Sequence, residues 1–158
     1  MKISNVLKLI ITIVVSQSAG LIGALFTTSS IPSWYATITK PELAPPNWIF
    51  GPVWTTLFLL MGIAAYLVWK KEGEPKKVKT ALKIFGVQLV LNILWSIIFF
   101  GLKNPGGAFI EIIFLWLVIL STIIAFYKVS KVAAYLLIPY ILWVSFAMYL
   151  NYAIWILN

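Results

Sequence analysis

Residues 34–54 read WYATITKPELAPPNWIFGPVW, and this stretch combines two residue types that rarely share a segment. Pro41, Pro45, Pro46 and Pro52 break or begin helices, whereas Trp34, Trp48 and Trp54 carry the large rings that chains hide in apolar surroundings. Prolines ahead of Asn47 mark a helix start, with the Asn47 side chain as its cap and Pro52 in the first turn. A rigid, aromatic connection feeding an apolar helix is therefore the first expectation.

On both sides of this stretch the chain is apolar. Of its 158 residues, 62% are hydrophobic and 10% charged, against about a quarter charged in soluble domains. The apolar residues fall into five runs, each of the roughly 20 residues a helix needs to cross a bilayer. The first is VLKLIITIVVSQSAGLIGALF, residues 6–26. Its lysines and SQSAG resemble a cleaved leader, but apolar character continues through Phe26, so it reads as a retained helix. The fold class is all-α: one domain over residues 1–158, an integral membrane bundle with helices at about 5–27, 47–70, 79–101, 106–128 and 132–157. Between the first two lies a long connection, about 28–46. Loops of that length are functional or disordered, and its aromatics and prolines favour a lid folded back over the helix ends.

Lysine placement sets the orientation. Lys2, Lys8, Lys70, Lys71, Lys76, Lys77, Lys79, Lys83, Lys128 and Lys131 fall on one side, with Lys40 and Lys103 on the other. The positive-inside rule makes the N-terminus cytoplasmic, and helical spans imply an inner or plasma membrane. The net charge of +8 follows from topology and does not point to nucleic acid.

With neither Cys nor His, the chain has no thiolate or imidazole metal site and no His-based acid–base pair. Chemistry would have to come from a ligand, with Trp, Tyr or Met as redox partner. Intramembrane polar groups face protein rather than lipid. Gln88 and Asn92 lie one turn apart, and Trp95 and Phe99 continue their stripe. Trp143, Ala147, Leu150 and Asn151 share a spacing on the last run; Trp54, Phe58 and Gly62 do so on the second. These faces suit a flat apolar ligand, or equally plain helix packing. Glu111, the one acid inside a run, either binds a ligand or ion or, the favoured option, snorkels or pairs with Lys103. The small-residue line Ser16, Gly20, Ala24, with Ala19 and Gly23 beside it, implies close helix contact within the monomer or, the favoured option, across a homodimer.

The segments WYATITKPELAPPNWIFGPVWTTLFLLMGIAAYLVW (34–69), QLVLNILWSIIFFG (88–101) and LLIPYILWVSFAMYLNYAIW (136–155) resemble the TspO/MBR family of tryptophan-rich sensory proteins and mitochondrial translocator proteins. The resemblance implies a five-helix bundle with a capped pocket for porphyrins such as protoporphyrin IX and for benzodiazepine-site ligands, isoquinoline carboxamides among them. It implies ligand contacts from Trp34, Tyr35, Pro45, Phe50, Trp54 and Phe58, from Asn92, Trp95 and Phe99, and from Trp143, Phe146, Ala147 and Leu150. No metal and no resident cofactor are implied, since porphyrin is the ligand or substrate. Three roles follow: a sensory or regulatory receptor, a light- and oxygen-dependent porphyrin-degrading enzyme acting through Trp54 and Trp143, or a transporter. The cholesterol motif of animal members needs a basic residue after its tyrosine. Here Tyr152 is followed by AIWILN, which has none.

Overall fold

The computed structural model describes residues 3–158, so Lys2, counted above for orientation, lies outside the described residues. Five helical stretches, Asn5–Tyr35, Asn47–Trp69, Pro75–Gly101, Pro105–Tyr127 and Lys131–Leu157, are long and apolar enough to cross a membrane. The shortest, at 23 residues, is about 35 Å long at 1.5 Å per residue, enough for a hydrocarbon core of about 30 Å. Large apolar side chains such as Leu25, Val90, Ile110 and Leu142 point outward and stay exposed, as a lipid-facing surface requires. The protein is a multi-pass, all-helical membrane protein.

Helix α1 spans Asn5–Ser30 and runs on as a π-helical turn, Ile31–Tyr35. The Ser4 hydroxyl caps its start by accepting from the Leu7 N–H. Helix α2 is Asn47–Trp69, α3 is Pro75–Ser96 with a π-helical extension Ile97–Gly101, and α4 is Pro105–Tyr127. The last span is two helices, α5 (Lys131–Leu136) and α6 (Ile138–Leu157). They separate at Leu137, just ahead of Pro139, whose ring cannot continue the upstream hydrogen-bond ladder.

Three expectations about the first connection need correcting. Its helix does not stop near residue 27 but continues through Thr37, so only residues 38–46 are non-helical and the twenty-residue lid shrinks by half. The helix carries Pro32 within the wider π-helical turn, the form in which α-helices absorb an extra residue. Asn47 does not cap α2: the cap position is Pro46, which has no side-chain hydrogen bond to offer. Pro52 is then the sixth helical residue, beyond the first turn, and its ring removes the N–H that would reach the Trp48 carbonyl.

The helices form a closed ring. Helix α1 packs on α2 and α3, α3 on α4, α4 on α5 and α6, and α2 on α5. A Cβ on Gly62 of α2 would lie 2.7 Å from the Ile13 Cα, so the α1–α2 contact requires glycine there. Ser16, Ala19 and Gly23 are likewise buried against neighbouring helices. A Cβ on Gly20 would meet the Phe58 ring, and one on Gly23 the Ser96 hydroxyl. The small-residue line thus makes close helix contacts within the monomer.

Candidate functional site

Helix α2 approaches α5 closely, while its distance to α6 is bridged by rings: Phe50 meets Trp143 edge-on at 6.1 Å and Trp54 meets Tyr140 at 6.3 Å. The space left between α1, α2, α3 and α6 is a cavity of about 390 Å³. Packing voids in protein interiors are rarely larger than a water molecule, whereas small-molecule sites begin at about 300 Å³.

Eight of the residues expected at a site line this cavity. Tyr35, Phe50, Trp54 and Phe58 come from the first two helices, Asn92 and Trp95 from α3, and Trp143 and Ala147 from α6. Five do not. Phe99 stacks behind Trp95, with ring centroids 5.1 Å apart, and Trp34 meets Phe99 edge-on at 5.6 Å. Both lie one layer back, within a cluster that also holds Tyr35 and Phe100. Phe146 packs on Trp143 at 5.7 Å, Leu150 is buried, and Pro45 is half-buried in the connection.

Sequence reasoning missed the fourth wall. Gln17, Gly20, Ala24, Thr27 and Ile31 of α1 all face the cavity, as do Ser96 and Phe100 of α3 and Trp48 at the start of α2. The signal was present, since 17, 20, 24, 27 and 31 trace one helical stripe. Small residues on that stripe read as a packing face, yet the same smallness leaves room for a cavity.

Polar groups around the cavity are mostly engaged. The Asn92 amide donates to the Tyr140 hydroxyl at 2.8 Å, and that hydroxyl donates to the Gln88 carbonyl at 2.7 Å. Trp95 donates its indole N–H to the Asn151 side-chain carbonyl at 2.9 Å, and Asn151 donates on to the Pro105 carbonyl at 2.7 Å. The Gln17 amide reaches the Thr55 carbonyl at 3.1 Å, tying α1 to α2. By contrast, the Trp143 indole N–H is buried without an acceptor. In a bilayer such chains are valuable because water cannot satisfy a broken one.

At the end of the cavity nearest the first connection, helix ends pack on one another. Ser30 of α1 donates to the Phe100 carbonyl at 2.9 Å, so the two π-helical extensions meet, and Tyr35 packs on Phe100 at 5.8 Å. Lys40 turns back on this end, donating to the Tyr35 and Ile38 carbonyls with its ammonium 4.7 Å from the Tyr35 ring centroid. Asn158 holds the connection from the other side: its carbonyl accepts the Thr39 N–H, and its amide donates to the Thr39 carbonyl, both at 2.9 Å.

Glu111 does not pair with Lys103. The ion pair among the described residues is Lys77–Glu74 at 2.7 Å, and both Glu111 oxygens are buried without a partner. Among the described residues no group of three or more His, Cys, Asp or Glu could hold a metal ion.

Comparison with known proteins gives a consistent picture. Residues 11–156 match the TspO/MBR family. The chain is 44% identical to the tryptophan-rich protein TspO of Archaeoglobus fulgidus over 155 residues, covering 98% of this chain and 99% of that one. It is 42% identical to the protein of the same name in Chlorobaculum tepidum, with 98% of each chain covered. It is also 40% identical to the human translocator protein over 135 residues, which is 85% of this chain and 80% of the human one.

Proposed function

The chain belongs to the TspO/MBR family, and from that premise we propose that it is a membrane receptor for a flat tetrapyrrole such as protoporphyrin IX. The observation that carries this reading is the cavity of about 390 Å³ between four helices, walled by the Trp54, Trp95 and Trp143 rings. A planar macrocycle needs large, flat, apolar walls and a few oriented donors at its polar edge. The walls are there, and Trp143 has an N–H without a protein acceptor. Isoquinoline carboxamides, smaller and also flat, fit the same description. A sensory or regulatory role suits a site built for recognition. With the lysine-rich connections on the cytoplasmic side, the cavity lies toward the outer half of an inner or plasma membrane.

Dark titration of the purified protein with protoporphyrin IX, followed by tryptophan fluorescence, tests the proposal. Saturable quenching that weakens about tenfold or more in Trp143→Ala is expected. Quenching without saturation, or identical in the variant, would overturn it.

A second reading, photo-oxidative breakdown of the bound porphyrin with dioxygen as oxidant, is favoured by one observation. Trp54 and Trp143 both line the cavity, so either indole is placed to give an electron to an excited ligand. Illuminating the titrated sample separates the two readings: loss of porphyrin absorbance that slows in Trp54→Phe and Trp143→Phe supports turnover, and equal rates exclude these indoles as donors.

A further inference from the structure

A second concave site lies at the opposite end of the bundle, where α2 ends and α3 begins. Its floor is apolar, made by Trp69, Pro75, Val78 and Leu82, and Lys71, Lys79 and Lys83 complete its lining. Lys79 and Lys83 are one helical turn apart on α3, so their ammonium groups rise from the same face. A further cation approaches from α1, where the Lys8 ammonium lies 6.0 Å from the Trp69 ring centroid. Two helices and the connection between α2 and α3 therefore gather positive charge around one indole.

Little nearby charge opposes it. The acids of this end are Glu72 and Glu74, neither of which lines the groove. Glu74 is already bound to Lys77 at 2.7 Å. The three groove lysines form no ion pair among the described residues.

We propose that this groove binds the headgroup of an anionic phospholipid, with the phosphate among Lys71, Lys79 and Lys83 and the glycerol and upper acyl chain over Trp69 and Leu82. The combination favours a lipid over a soluble anion. Trp69 is a half-buried indole at the very end of a membrane-spanning helix, the depth at which tryptophans meet headgroups. The lysines lie just beyond it, where basic residues attract anionic lipid surfaces. A free phosphate would use the ammonium groups and leave the apolar floor wet, whereas a lipid covers both.

Native mass spectrometry of the full-length protein in detergent, titrated with phosphatidylglycerol or phosphatidylcholine, tests the site. Phosphatidylglycerol should be retained about tenfold more strongly. The preference should be lost in Lys79→Gln/Lys83→Gln and kept in Lys79→Arg/Lys83→Arg. It should also be kept in Lys128→Gln/Lys131→Gln, which removes equal charge from another connection on the same side. Thermal unfolding in the same detergent should be unchanged in all three, since these side chains are exposed. Equal loss in both glutamine pairs would replace a site with diffuse surface charge and overturn the proposal, as would no loss in either. Failure of the arginine pair to keep the preference would overturn its electrostatic basis. Displacement of phosphatidylglycerol by inorganic phosphate, beyond that by chloride at matched ionic strength, would assign the groove to free phosphate.

Discussion

The indole N–H of Trp95 donates to the side-chain carbonyl of Asn151 at 2.9 Å, joining the ring that walls the cavity on α3 to the far end of α6. Asn151 in turn donates to the Pro105 carbonyl at 2.7 Å, at the start of α4. One amide thus links three helices and sets the plane of a cavity-lining ring.

Asn151→Leu should leave an indole N–H and a carbonyl unpaired in an apolar interior. The expected cost is about 1–2 kcal/mol, the range measured for polar contacts between membrane helices. Denaturant or thermal unfolding in detergent reads the stability. The same variant should also weaken porphyrin binding, because Trp95 loses the bond that orients it.

Glycine substitutions should separate helix contact from open surface. Gly62→Ala puts a methyl group 2.7 Å from the Ile13 Cα, a backbone atom that cannot move without displacing α1. A loss of about 1–3 kcal/mol is expected. Gly86, on α3, has nothing within 4 Å of its would-be Cβ, and Gly86→Ala should be neutral or stabilising by up to about 1 kcal/mol. Melting temperatures of the two variants in one detergent decide it.

Gly20→Ala is expected to act on the cavity more than on the fold. Its Cβ would lie 2.6 Å from the Phe58 ring, and Gly20 and Phe58 both line the cavity. The ring is expected to give by swinging into that space. Protoporphyrin titration should show affinity reduced several-fold, with circular dichroism unchanged. Unaltered affinity would mean that the ring relaxes elsewhere.

Asn158→Ala removes both bonds that hold Thr39, and the connection over residues 38–46 should loosen. These bonds are exposed, so global stability should change by less than about 1 kcal/mol. Amide hydrogen exchange at residues 38–46 should rise several-fold while that of α2 and α4 stays constant. Faster ligand dissociation from the loosened variant is the functional expectation.

Composition and spacing alone were enough for the five spans, because each apolar run must satisfy its backbone internally once water is absent, and only a helix does so within one segment. Periodicity also placed Trp54, Phe58, Asn92, Trp95, Trp143 and Ala147 on faces that do meet. What it could not convey was which small-residue face borders empty space. The stripe from Gln17 to Ile31 reads the same whether a helix packs against it or stands off, and the outcome depends on how far α2 sits from α6. Nor could local rules show that Pro32 would be absorbed in a π-helical turn, since the meeting of Ser30 with the Phe100 carbonyl joins residues 70 positions apart. The helices were decided by interactions with lipid, which every residue in a run feels independently. The cavity was decided by interactions between helices, which exist only after all five have assembled.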